Sequence, residues 1–566
     1  MYEVILAQRY EEFYIVRVLM SFVYQFSIPF VKPFFPMDNS LFSLLCNFAS
    51  IIKTCKTELT MRKIFFLLFL TLCVVSSVSA GNTVERWRIF EVALKGPQSG
   101  NPFTDHYLTA TFRHGTTVMT VRGFYDGDGI YRLRFMPELT GRWTYTTKSD
   151  LSSLNHRKGA FVCTAAREGN HGPVVVKDSM HFAYADGSRY VPFGTTCYAW
   201  VHQQPAMMEQ TIQTLKKGYF NKMRFCIFPK YYDWNHDEPL LFPYEGKPDT
   251  LWDYSRFNPA YFRNIEHQIQ RLDSLGIEAD LIVFHPYDKW GFSKMSRQAD
   301  DRYISYLIAR LAAYKNVWWS MANEYDLMKA KRLDDWNHYL EKFAEEDPYH
   351  HLRSIHQCFT LFDHHNKNIT HVSIQNDETF RGGQLLKTYH KPVVYDECRY
   401  EGNIAWPWGS LTAQEMTDKV WRGTMVGAYV GHGETYDTEE PVQHPSKSKA
   451  KMWWSRGGVL RGQSPARILF CRHIIESAPG DLTPAHVSTY WLGGQLAYGD
   501  DYFLIYYNQD QPKCDALRLP AGKRYRAEII DAWNMTVKEL PGTFSGDCVV
   551  PLPAKPMTAL RLTKIQ

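Results

Sequence analysis

Several signatures of hydrolytic and phosphoryl chemistry are missing from this 566-residue chain. There is no HxH or HExxH spacing, so catalytic zinc lacks its usual ligand pattern. There is no Gly-rich phosphate loop and no serine elbow, which removes nucleotide-driven chemistry and the α/β-hydrolase mechanism. The 11 cysteines form no CxxC pair and no even framework, which argues against a zinc ribbon or a disulfide scaffold. Cys163, Cys197, Cys226 and Cys358 sit in apolar strand-like stretches and read as buried thiols. Cys514 and Cys548 share the last segment and are the one pair that invites a disulfide. A formal net charge of +5 without a long basic run gives no nucleic-acid surface. His285, His432, Glu434 and the pair His364 and His365 are scattered, so no metal and no other cofactor is expected.

What is present is an ordinary globular balance, 45% hydrophobic and 22% charged, with a surplus of rings. A chain of this length divides into two to four domains. Met61, Arg62 and Lys63 precede the apolar run from Ile64 to Val75, and Val78, Ser79 and Ala80 supply small residues for cleavage. That is a secretory signal pattern at 61–80, too short to span a bilayer. It makes 1–60 an upstream over-extension and the mature chain secreted or periplasmic, with no integral membrane domain. Cys73 leaves a lipid-anchored surface form open, although no small residue precedes it.

Residues 81–165 read as a small antiparallel β-sandwich, with period-2 strands between Gly, Asp and Asn turns. Its Asp-Gly-Asp-Gly stretch at 126–129 reads as a hairpin turn before it reads as a calcium loop. From 166 to 483 strands alternate with helical segments, the pattern of a parallel α/β fold. Eight strands follow in turn: VPFGTT from Val191, MRFCIF from Met223, LIVF from Leu281, the run at Val317, RSIHQ, HVSIQ, PVVYDE and MVGAYVGHG. Asp300 or Asp301 is read as a helix cap, and Thr412 with Glu415 as a capping box. The order predicts a (β/α)8 TIM barrel flanked by two β-sandwiches, the second at 484–566. That last segment is read as structural support for the barrel, with sugar binding through Tyr506, Tyr507 and Trp533, should they face outward, as the sharper alternative.

Two strands carry the chemistry. YKNVWWSMANEYD, Tyr314 to Asp326, runs apolar from Val317 to Ala322 and then delivers Asn323 and Glu324. KPVVYDEC, Lys391 to Cys398, ends in Asp396 and Glu397. Active sites of such barrels lie at the carboxyl ends of the strands. Glycoside cleavage needs two carboxyl groups facing each other across one sugar bond, one held as acid and the other ionised. Asp396 points away from Glu397 along the strand and is assigned to the scaffold. Arg224, between Met223 and Phe225, requires a buried partner. His285 and His356 stand at strand ends, while Trp200, Tyr232, Trp234, Trp453 and Trp454 are candidate sugar platforms.

PFGTTCYAW, FPKYYDWN and WWSMANEYD resemble the apiosidase-like barrels of secreted bacterial proteins, within the clan A glycoside hydrolases. The likeness runs from Val84 onward. It implies a retaining hydrolase of poly- or oligosaccharides, with Glu324 as acid/base, Asn323 its partner toward the sugar 2-hydroxyl, and Glu397 as nucleophile. It also implies that Arg224 holds the nucleophile ionised and that His285 and His356 are hydrogen-bonding histidines. Two departures stand out. Where the clan often has a tyrosine near strand six, this chain has Gln375 and Asn376. The glutamates lie only 73 positions apart (397 − 324), short for three further strand–helix units. That shortening supports the alternative, a non-catalytic glycan-binding barrel of a polysaccharide-uptake system.

Overall fold

The computed structural model describes residues 82–248, 251–440 and 447–565. The leader at 61–80, the stretch before it, and Cys46, Cys55 and Cys73 lie outside the described residues. Residues 82–565 fall in one compact unit of mixed α/β structure with β regions at both ends. Among the described residues no helix is long and apolar enough to cross a membrane.

The middle of the chain supplies eight parallel strands: β1 (Gly194–Thr196), β2 (Lys222–Cys226), β3 (Glu278–Phe284), β4 (Val317–Ala322), β5 (Arg353–Ser354), β6 (Val372–Gln375), β7 (Val393–Glu397) and β8 (Tyr429–Val430). They form two arcs, β1-β2-β3-β4-β5 and β6-β7-β8. Thr195 and His432 make a parallel bridge between the start of the first arc and the end of the second. At the other seam the Thr370 amide donates to the Arg353 carbonyl at 2.9 Å. Strands β2, β3, β4 and β7 are buried along their whole length, which accounts for their apolar stretches, and the charges they carry, Lys222, Arg224, Asp280 and Asp396 among them, are buried too.

The helices pack outside. They are α1 (Pro205–Leu215), α2 (Pro259–Ser274), α3 (Arg297–Leu311), α4 (Leu333–Glu346), α5 (Gly382–Tyr389), α6 (Ala413–Thr424) and α7 (Ser464–Glu476). The capping box at Thr412 and Glu415 forms as expected. The cap of α3 does not: Ser296 accepts from the Ala299 amide, and Asp300 lies inside the helix, buried against Lys331 and Tyr339. No helix joins β5 to β6, and α5 has only two turns, so the short spacing between the glutamates comes from abbreviated connections.

At the N-terminal end a five-stranded and a three-stranded sheet face each other. Their core stacks Phe112 on Phe135 and Phe90 on Phe161, each pair 4.0 Å between ring centres. The 126–129 turn is a hairpin with positive φ at Gly127, Asp128 and Gly129. Its Asp126 carboxylate is engaged by Arg132 and, across the domain junction, by Arg310 of α3 at 2.9 Å. Arg310 and Arg134 share Glu266 of α2, at 2.6 and 2.9 Å. This five-residue network fastens the β-sandwich to the outer helices.

The C-terminal end holds a six-stranded antiparallel sheet and a two-stranded ribbon. The three candidate rings are held by the fold. Tyr506 stacks on Trp421 of α6 and donates to Asp418 at 2.8 Å, Tyr507 donates to Asp515 from within the core, and Trp533 is half-covered by Arg467. These contacts favour structural support over sugar binding for the three. Cys514 pairs in register with Pro551 and Cys548 with Leu517. The two thiols stand three residues apart along the ladder, about 10 Å, beyond disulfide reach, and both are free.

Replacing Arg310 with leucine leaves Asp126 and Glu266 as buried carboxylates short of a partner. Urea unfolding should show a loss of about 3–5 kcal/mol, and a loss below about 1 kcal/mol would mean the network does not stabilise the junction.

Candidate active site

The carboxyl ends of the strands open into one cavity of about 940 Å³, within the size range of small-molecule sites. Glu324 and Glu397 both line it, as do Asn323, Tyr232 and Trp234. Glu324 is the second residue after β4, behind Asn323, and takes a left-handed backbone, φ 54° and ψ 56°, which swings the chain into the short turn at Tyr325. Asp326 then accepts from the amides of Cys358, Phe359 and Thr360, each at 2.8 Å, and so fixes the loop after β5 along the cavity wall. Cys358, expected in the core, lines the cavity instead.

Each glutamate has a tyrosine. The Tyr198 hydroxyl contacts Glu397 Oε1 and lies 2.9 Å from Asn323 Oδ1, which links the two strand ends through one side chain. A hydroxyl has one proton to give, and the carboxylate is the stronger acceptor. Tyr287 donates to Glu324 Oε2. Burial, and next the Glu324 charge, raises the Tyr287 phenol far above its ordinary range, so it stays a donor. Burial pushes the Glu397 carboxyl up to about 7, against the lowering effect of Tyr400 and Trp408 beside it. The tyrosine missing from strand six is thus replaced by Tyr198, from the loop after β1.

Arg224 does not reach Glu397. Its guanidinium lies 2.9 Å from Ser320 Oγ, 3.4 Å from Asp280 and 3.8 Å from Asp396. Lys222, two residues earlier on the same face of β2, bonds Asp280 and Asp396 as well. Burial works against the Asp396 charge, but Lys222 and Arg224 outweigh it and hold this carboxyl far below the usual range. Arg224 and Asp396 are therefore scaffold, below the cavity floor, and the substrate-binding assignment of Arg224 is corrected. Arg224 is the middle residue of β2, and its guanidinium points in among the strands, one layer beneath the mouth.

Trp200 is also corrected. The chain turns into a short 3-10 helix, Trp200–His202, that buries the ring edge-on against Phe225. His285 donates from Nε2 to the Phe228 carbonyl at 3.1 Å, and burial and next the Lys230 charge hold it neutral. His356 is buried and kept neutral, chiefly by burial, with Nε2 4.0 Å from Glu397 Oε1. Neither histidine lines the cavity. Trp453 donates to Thr195 from the core, whereas Trp454 is part of the cavity wall.

Among the lining residues that went unread in the sequence are Tyr198, Lys230, Tyr287 and Tyr400. The first two lie in PFGTTCYAW and FPKYYDWN, where strand-end position was the available signal. Trp406 and Phe359 stand at the mouth, 56% and 83% exposed, where a sugar outside the cavity would pass. His432 and Glu434 do come together, with Glu401, in the one group of described residues whose ligand atoms lie within 4.8 Å. Both carboxylates there already accept backbone amides, Glu434 from Arg461 and Gly462, Glu401 from Gln463 and Ser464. They clasp the segment leading into α7.

The chain matches the family described as apiosidase-like, catalytic domain, over residues 177–478. Two domains of unknown function, DUF5060 and DUF5605, match residues 83–150 and 491–563. A solved structure from Bacteroides vulgatus ATCC 8482, described as a putative glycoside hydrolase, is 41% identical, covers 86% of this chain and 100% of its own, and superposes with a TM-score of 0.79. A glycoside hydrolase family 5 structure from the same organism shares the fold at 14% identity and a TM-score of 0.55, covering 70% of this chain and 93% of its own. No curated protein matches.

Because a hydrogen bond to a charged group contributes about 1.5–3 kcal/mol, Tyr198→Phe should raise the Glu397 midpoint by about one to two pH units. Carboxyl ¹³C NMR titration reads this directly. An unmoved midpoint would remove Tyr198 as the donor.

Proposed function

Because the chain belongs to the apiosidase-like family of glycoside hydrolases, we propose that it is an exported enzyme that cleaves O-glycosidic bonds of a poly- or oligosaccharide with retention at the anomeric carbon. The observation that carries this reading is a shared cavity with two glutamates at the ends of β4 and β7, each bonded to its own tyrosine. The bridge between β1 and the end of β8 supports a closed (β/α)8 barrel, and the leader pattern at 61–80 supports export.

Glu397 attacks the anomeric carbon as a carboxylate. Glu324 gives its proton to the glycosidic oxygen as the bond to the leaving sugar breaks. With Tyr287 donating to Oε2, the acidic proton is confined to Oε1. A glycosyl ester on Glu397 results. Glu324, now ionised, takes a proton from water, the hydroxide adds to the anomeric carbon, and Glu397 departs as carboxylate. Asn323 is placed to bond the neighbouring hydroxyl, and Tyr232, Trp234 and Trp454 give the sugar apolar faces to lie on.

Wild type, Glu324→Ala and Glu397→Ala should be assayed together on a panel of plant and host glycans. Sugar release by wild type, reduced by about 10³-fold or more in both variants, is the expected result. The first product seen by ¹H NMR should keep the substrate's anomeric configuration. Release that survives Glu397→Ala would displace the nucleophile, and binding without release by all three proteins would favour the glycan-binding alternative. A nucleophile that must be ionised, with its carboxyl near 7, also sets the acid limb: kcat/KM should fall as pH drops below about 7.

A further inference from the structure

Lys230 is only 2% exposed, lines the catalytic cavity, and has neither a hydrogen bond nor a carboxylate partner among the described residues. Buried cations are ordinarily paired, so an unpaired one in an active site calls for a reason. Its surroundings are aromatic. The ammonium lies 3.4 Å from the ring centre of Tyr198, 4.3 Å from Tyr287, 4.6 Å from Tyr232 and 6.0 Å from Trp454. The two nearest rings are the ones whose hydroxyls reach the glutamates, Tyr198 to Glu397 and Tyr287 to Glu324. The placement is well supported: the Asn235 amide donates to the Lys230 carbonyl at 2.6 Å, and the Tyr231 amide donates to the Tyr287 carbonyl at 2.9 Å.

We propose that Lys230 is a positioning residue shared by both glutamates: its cation, held on the ring faces of Tyr198 and Tyr287, draws electron density from both phenols and strengthens the hydrogen bonds they give to Glu397 and Glu324. A cation over an aromatic face is attracted to the ring's π electrons. The polarised ring in turn gives up its hydroxyl proton more readily, and the hydrogen bond to a carboxylate gains strength. One charge thereby tunes both halves of the reaction, keeping Glu397 ionised for attack and keeping Oε2 of Glu324 an acceptor. The inference rests on the assignment of these two glutamates as the reacting pair.

The same site makes the device sensitive to pH. Burial brings the Lys230 ammonium down to about 8, with Cys226 and Glu324 favouring its charge and Arg224 opposing it. His285 and His356, which also feel the lysine, are neutral and add no competing charge. As pH rises through about 8 the cation is lost, and both tyrosines become weaker donors.

The test uses the full chain with ¹³C-carboxyl-labelled glutamate and no substrate, the Glu397 signal being assigned by its absence from Glu397→Gln. In wild type this signal should move in two steps, near pH 7 and near pH 8. Lys230→Arg keeps a cation on the rings through the whole range, so the lower step should stay within about 0.3 pH units and the upper step should vanish. Lys230→Met should raise the lower step by about 0.5–1 pH unit. Retention of the upper step in Lys230→Arg overturns the proposal even where Lys230→Met fails to fold, and so does an unmoved lower step in a folded Lys230→Met. On a cleaved glycan, Lys230→Met should lower kcat about three- to thirtyfold with KM within about twofold. A loss carried by KM alone overturns the positioning role. If Glu397→Ala remains active while these titrations behave as expected, the reaction assignment fails and the link from Lys230 to the tyrosines stands.

Discussion

Beneath the cavity floor four buried charges hold the strands in place. Lys222 and Arg224 project from β2, Asp280 from β3 and Asp396 from β7, all nearly inaccessible to water. Any one of them alone would be prohibitively expensive to bury, and together they are satisfied only in one arrangement. Ser320 of β4 and Ser373 of β6 complete the contacts, so the layer reaches strands from both arcs. The register of β7 against β2 is set by this layer. Glu397 is the next residue after Asp396, and its height at the cavity mouth follows from it.

The strands that enclose this layer were legible because parallel strands buried on both faces leave continuous apolar runs. Glu324 and Glu397 were legible for a related reason: each stands where such a run gives way to polar residues, Glu324 after Asn323 and Glu397 after Asp396. Arg224 was read correctly as needing a buried partner and given the wrong one, since sequence order does not tell the strand interior from its rim. Trp200 failed because the backbone after β1 turns at once into a 3-10 helix, and a ring count carries no direction. Tyr198, Lys230 and Tyr287 lie on loops whose placement depends on bonds to distant loops, such as the Tyr198 amide to the Trp454 carbonyl. No local pattern encodes those bonds.

The β regions at the two ends show where much of the aromatic surplus goes. Phe90, Phe112, Phe135, Trp143 and Phe161 fill the first sandwich, and Tyr506 on Trp421 seats the last sheet against α6. Rings abundant enough to suggest sugar platforms are mostly interior. The ones left for a ligand are few and cluster around Lys230 and the cavity mouth.

Glu324 keeps a left-handed backbone that an L-residue with a long side chain adopts at a cost of about 1–2 kcal/mol. Glycine or asparagine would occupy that position more comfortably. Packing alone gives no reason for a glutamate here, and what the strained turn achieves is to carry its carboxyl group into the cavity. Glu324→Gly should therefore gain stability while removing a carboxyl group from the cavity, so that the fold and the make-up of the cavity pull in opposite directions at one backbone position.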